Sequence, residues 1–217
     1  MSTQLRLWAL SAGEVRQFFL GIPEEMDRLR DVAAPLIPST PVSRGLLSKI
    51  GPLTRKNPPM PVITPGVPNR MDVEALLSGR FTATDRLSAS WAILCAWLDA
   101  SALAHADIGL TPAELETLDF DLGRAGIPYD VGIRRLWGRS LDIPLRPCDS
   151  HAAGYLPYRL VATLNQTWAE NAEELEESSR PFVTSVMAFT QHFSQYADQA
   201  ASDGREAPDL IAWWSPS

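Results

Sequence analysis

LRLWALSAGEVRQFF (residues 5–19) changes its structural pattern at one residue, Ser11. Before it, LRLWAL is a short apolar run of strand length. After it, Ser11 and Glu14 have the spacing of a capping box, in which each side chain satisfies a free amide of the first helical turn. Leu10 and Val15 stand where a hydrophobic staple places them. The chain therefore opens strand then helix. Its far end has the reverse order. A helical pattern over about 181–202 turns Phe182, Val183, Val186, Met187, Phe193, Tyr196, Ala197 and Ala200 inward, with Gly204 just past its end. DLIAWW (209–214) then reads as a closing strand. Each strand abuts a well-formed helix, which predicts that the two termini pair in one sheet.

The same helix-start pattern returns at LTPAEL, with Thr111 as cap, Pro112 at the first helical position, Glu114 closing the box, and Leu110 and Leu115 as the staple. Another helix follows Pro23, with Glu24, Glu25 and Asp27 in its first turn, where the dipole favours acids. Met26, Leu29, Val32 and Ala33 form its buried side, and Pro35 ends it. Helical pattern resumes at 71–79. The longest helix spans roughly 85–103, with Leu87, Trp91, Leu94, Cys95, Leu98 and Ala102 on one face. A strand at 153–156 leads into a helix from Pro157 with the stripe Leu160, Val161, Leu164, Trp168, Ala172 and Leu175. Trp91 and Trp168 are therefore expected in the core. Residues 127–147 give only a mixed pattern. The expectation is an α+β fold, a mainly helical single domain over 1–217, with a small sheet that includes both terminal strands.

Residues 35–68 hold nine of the eighteen prolines, and from Val32 to Met71 there is no acid against Arg44, Lys49, Arg55, Lys56 and Arg70. This is a proline-rich basic insert or arm at about 35–70, with a short helix around Arg44–Ile50 and an edge strand at MPVIT (60–64) as its expected elements. Packing on the domain and donating an extended edge to a partner are both open to it.

At 217 residues the chain is long enough to bury a real core, and 45% apolar with 21% charged residues is ordinary for a globular protein. Residues 1–110 carry 11 basic and 10 acidic groups, a net +1, whereas residues 111–217 carry 8 and 16, a net −8. That acidic half makes a nucleic-acid partner unlikely on electrostatic grounds. No run approaches membrane-spanning length, so no membrane partner is expected. Two cysteines, Cys95 and Cys148, make no disulfide framework, and the expected location is cytoplasmic.

No catalytic, phosphate-binding or metal signature is present, and no cofactor is expected. PCDSH (147–151) gathers Cys148, Asp149, Ser150 and His151 and reads either as a turn or as a thiol beside a base. An enzyme of unrecognised type using His151 or His192 is the alternative to a binding role. His105 follows the long helix, near its negative end. Glu170, Glu173, Glu174, Glu176 and Glu177 crowd a predicted helix C-terminus, where negative charge is unfavourable by about 0.3–1 kcal/mol each. They read either as a solvated face or as a patch that steers a basic partner.

LWALSAGEVRQFF at the start, LSASWAILCAWLD in the middle, and GYLPYRLVATL with FTQHFSQYADQAASDGREAPDLIAWW at the end resemble, in order and kind, the YfbM-like family of bacterial proteins. The resemblance covers about two thirds of the chain and leaves out the proline-rich stretch and residues 124–147. It implies a compact α+β fold with the first and last strands in one sheet. It also implies a protein-binding module, an immunity protein that neutralises a bacterial toxin. It carries no catalytic residues to transfer.

Overall fold

The near-continuous apolar character of LRLWAL has a structural cause: this strand is covered on both faces. In the computed structural model, which describes residues 3–38, 64–149 and 151–216, strand β1 (Gln4–Leu10) sends Trp8 and Leu10 into one apolar cluster. Leu5, Leu7 and Ala9 enter a second cluster on the opposite face. A strand buried on both sides cannot alternate apolar and polar residues, so it reads as a run.

Helix α1 (Ala12–Phe18), α2 (Pro23–Ala33), α3 (Arg70–Leu77) and α4 (Leu87–Ser101) form the layer on the Trp8 side. Strand β2 (His105–Gly109) precedes α5 (Pro112–Arg124). Two 3-10 turns, Tyr129–Val131 and Ile133–Trp137, follow. Then come β3 (Ala152–Leu156), α6 (Tyr158–Glu170), α7 (Arg180–Thr190), α8 (Phe193–Ser202) and β4 (Asp209–Ser215). Helices α5 to α8 and the 3-10 turns cover the Leu5 side. The sheet order is β2-β1-β4-β3, and every pairing is antiparallel. The terminal strands β1 and β4 are thus its two inner strands, in register from Gln4↔Ser215 to Leu10↔Asp209.

Local rules and packing agree at most joints. Both expected capping boxes form, and a third appears at α3, where Asn69 caps and Asp72 closes the box. At the end of α8, Gly204 takes φ +70°. Its N–H donates to Ala201 and that of Arg205 to Ala200, the paired bonds of a Schellman stop. Asp209 accepts from the Ala12 amide at 3.0 Å and the Tyr158 amide at 2.9 Å. One carboxylate on β4 thereby ties the first turns of α1 and α6, one from each layer.

Trp91 (2% exposed) and Trp168 (0%) are core residues, as their helix faces predict. Their indole N–H groups donate to the Arg146 and Val131 carbonyls, both at 2.8 Å, so burial leaves neither polar atom unpaired. Helix α4 is buried on more than its predicted stripe: Ala89, Ser90, Ile93 and Trp97 are inside as well. It lies between the sheet and α2 and α3.

The structure corrects the sequence reading of several elements. HADIG forms strand β2, so His105, read as lying near the negative end of the long helix, begins a strand after that helix has ended at Ser101. The single helix expected over 181–202 is two, α7 and α8, divided at Gln191 and His192. Ala172 and Leu175 lie beyond α6, in a 3-10 turn and the loop after it, although Leu175 is still buried.

The expected Arg44–Ile50 helix lies outside the described residues, as does MPVIT up to Ile63. The return of the arm is described, and one arginine holds it. Arg86 donates to the carbonyls of Thr64 at 2.9 Å and Val67 at 2.7 Å while pairing with buried Asp72.

Candidate functional site

The acidic run is not a helix C-terminus as a whole. Only Glu170 ends α6; Glu173 and Glu174 sit in a 3-10 turn, and Glu176 and Glu177 precede the first turn of α7. Acids before a helix N-terminus face its positive end, so the expected electrostatic cost is relieved there.

The loop is fastened from below by Asp121, which the sequence reading missed. This α5 carboxylate is 1% exposed. It accepts from the Glu176 amide and from Arg124, each at 2.8 Å. Burial alone would push its pKa up, but hydrogen bonds from Arg124, Ser179 and the Glu176 amide hold it below the ordinary aspartate value. The available signal was an acid beside the apolar face of Leu115, Leu118 and Leu122. Arg124 also pairs with Glu176 at 2.8 Å. Arg180 donates to the carbonyls of Leu175 at 3.0 Å and Glu173 at 2.9 Å. Glu170 accepts from Gln166 at 2.8 Å.

Two arginines therefore lie within the acidic loop, and the patch is smaller than its sequence. Among the described residues, the side chains of Glu173, Glu174 and Glu177 have no ion pair or hydrogen bond, and all three are exposed. Phe120 lies one helical turn before Arg124 on α5, with 74% of its surface in solvent. On its other flank Arg134 bridges Glu116 and Asp119, both at 2.7 Å. Tyr129, also exposed, lies under the Arg135 guanidinium at 3.8 Å.

Within PCDSH the His151 amide donates to the Cys148 carbonyl at 3.0 Å, as a turn requires, while Ser150 lies outside the described residues. Burial pushes the Cys148 thiol up, away from the thiolate that nucleophilic attack needs. Cys95 is buried and pushed up to about 12. His151 instead meets a residue far along the chain: its Nε2 lies 2.9 Å from Ser215 Oγ, its Nδ1 3.1 Å from the Asp149 carbonyl, and its ring lies tilted against Trp213 with centroids 5.4 Å apart. His192 sits at the α7–α8 junction, between Gln191 and Gln195. Three surface cavities of about 460, 370 and 450 Å³ are lined by other residues than these histidines and Ser215. No group of three or more His, Cys, Asp or Glu among the described residues is placed to hold a metal. No helix among them is long and apolar enough to cross a membrane.

Compared with known proteins, the chain matches no family model, no curated protein and no solved structure.

Proposed function

We propose that this chain is a protein-binding module whose 170–177 loop receives a basic protein. One observation carries the reading: three exposed, unpaired carboxylates stand on a loop whose backbone is clamped by Asp121 and Arg180. A loop backbone already held by hydrogen bonds has less conformational freedom to lose on binding, and exposed acids steer a basic partner towards it. A toxin domain with a positive active-site cleft is a partner of that chemistry, which makes the module an immunity protein.

The test compares the protein with its Glu173→Gln/Glu174→Gln/Glu177→Gln variant, leaving the Arg124–Glu176 pair intact. Both are immobilised and exposed to extract at low and high salt. The expected result is a basic protein retained by the first and lost by the second, with unchanged thermal stability. Its on-rate should fall with salt for the wild type and flatten for the variant, since attraction is screened over about 8–10 Å at physiological ionic strength. Equal retention by both sinks the reading.

The His151–Ser215 contact favours a second reading, a hydrolase with Ser215 as nucleophile and His151 as base. Covalent labelling of Ser215 by a fluorophosphonate, lost in His151→Ala, is its required result.

A further inference from the structure

The sheet ends in two edges, and the backbone hydrogen bonds show that they differ. In an antiparallel pair, residues that exchange bonds with the partner alternate with residues that point both groups away. The Ala9 amide donates to Ala104 at 2.9 Å and the Leu110 amide to Thr3 at 3.5 Å. The register runs from Trp8↔His105 to Gln4↔Gly109. These facts fix the parity: Ala106 and Ile108 bond β1, while His105, Asp107 and Gly109 direct their N–H and C=O groups outward. All three are exposed, and among the described residues none of those backbone groups has a further partner. The strand has no proline or lysine to block addition.

The side chains select what could pair there. Asp107 lies at the centre of β2 and accepts from Arg6 at 2.9 Å, and Arg6 also pairs with Asp99 at 2.8 Å. The Asp107 and Asp99 side chains are 45% and 33% exposed against 19% for that of Arg6, so the negative charge is the more accessible part of this cluster, with Asp107 on the edge itself. On the opposite face Ala106 and Ile108 are half-buried against the apolar cluster, offering apolar ground. Self-pairing centred on Asp107 would set two carboxylates opposite each other, which disfavours a second copy.

We propose that β2 is a strand-addition site for an extended segment of a partner protein. The segment runs antiparallel, with arginine or lysine opposite Asp107 and β-branched apolar residues at the alternate positions. The proposal rests on the binding reading for the class of partner but uses different residues.

Amide hydrogen exchange on the full chain tests it, with a short blocked peptide of alternating valine and arginine as probe. In the free protein the amides of His105, Asp107 and Gly109 should exchange freely, and those of Ala106 and Ile108 slowly. Saturating peptide should slow the three by about tenfold or more. N-methylation of the peptide's arginine amides, which face β2, should abolish the effect, whereas methylation of its valine amides should not. Asp107→Lys should abolish peptide protection while leaving the free-state pattern unchanged. Protection in the free protein overturns the proposal, since the edge is then already covered, by a second copy if concentration-dependent and by the chain itself if not. Failure of the peptide to protect, or indifference to arginine methylation or Asp107→Lys, overturns it too. None of these outcomes touches the loop reading, which the glutamine variant tests separately.

Discussion

The outer edge of β3 is bridged at Tyr155, whereas that of β2 has no backbone partner among the described residues, although both are five-residue strands at the ends of one sheet. At β3 the outward Tyr155 amide is taken by the Arg139 carbonyl at 3.0 Å, in an isolated bridge. The chain approaches so closely that a Cβ on Gly154 would overlap the carbonyl oxygens of Arg139 and Trp137. Trp137 stacks on Trp214 at 6.1 Å and fixes that approach. At β2 a Cβ on Gly109 would meet nothing within 4 Å among the described residues. An unpaired edge is a hazard that proteins usually cover. One edge here is bridged by irregular backbone at Tyr155, and the other carries a carboxylate at its centre. The contrast separates a structural edge from one that is available.

Five measurements would break or sharpen that contrast. Deleting residues 209–217 removes the inner strand that joins β3 to β1, so the chain should lose cooperative unfolding altogether, as read by near-ultraviolet circular dichroism. A folded product would mean that β1 and β2 stand without the closed edge. Trp91→Ala and Trp168→Ala, one in each layer, should each cost about 3–5 kcal/mol in urea titrations. Similar losses place the difference at the edges; a much smaller loss for one would place it in the layer beneath.

Gly154→Val should cost about 1–3 kcal/mol or more, because backbone carbonyls cannot move aside as a side chain tip can. An unchanged urea midpoint would reopen the β3 edge. Asp121→Asn should cost about 1–2 kcal/mol at neutral pH, through weakened bonds to Arg124, Ser179 and the Glu176 amide. The folded carboxyl lies below its unfolded value of about 3.9. Its stabilisation is therefore complete above that value and is lost as pH falls through the folded pKa. The gap between wild type and variant should close in acid; a gap constant with pH would deny Asp121 that role. Last, Gly109→Ala should change stability by under about 0.5 kcal/mol, since its site is open. A larger loss would show that the sheet face at Gly109 is covered.

Much of this protein was legible locally. Ser11 with Glu14 and Thr111 with Glu114 form their boxes because a cap needs only residues three apart. Trp91 and Trp168 are buried because helical period alone sets the face of a helix. The two terminal strands pair, and the apolar runs LRLWAL and DLIAWW already belonged to strands covered on both sides.

What tertiary structure decided involves partners far apart in sequence. HADIG carries a histidine, an aspartate and a glycine and only one large apolar residue, so it does not read as a strand, and it becomes one because β1 supplies its hydrogen bonds. Residues 127–147 have no period because they follow the edge of β3 and form 3-10 turns. The acid cluster could be seen as composition, but which glutamates stay unpaired depended on Arg124, some fifty residues earlier. Ser215 meets His151 only because β4 passes beside β3. Helix caps and faces are properties of neighbours along the chain, whereas sheet edges and ion-pair choices belong to whichever segments the fold brings together.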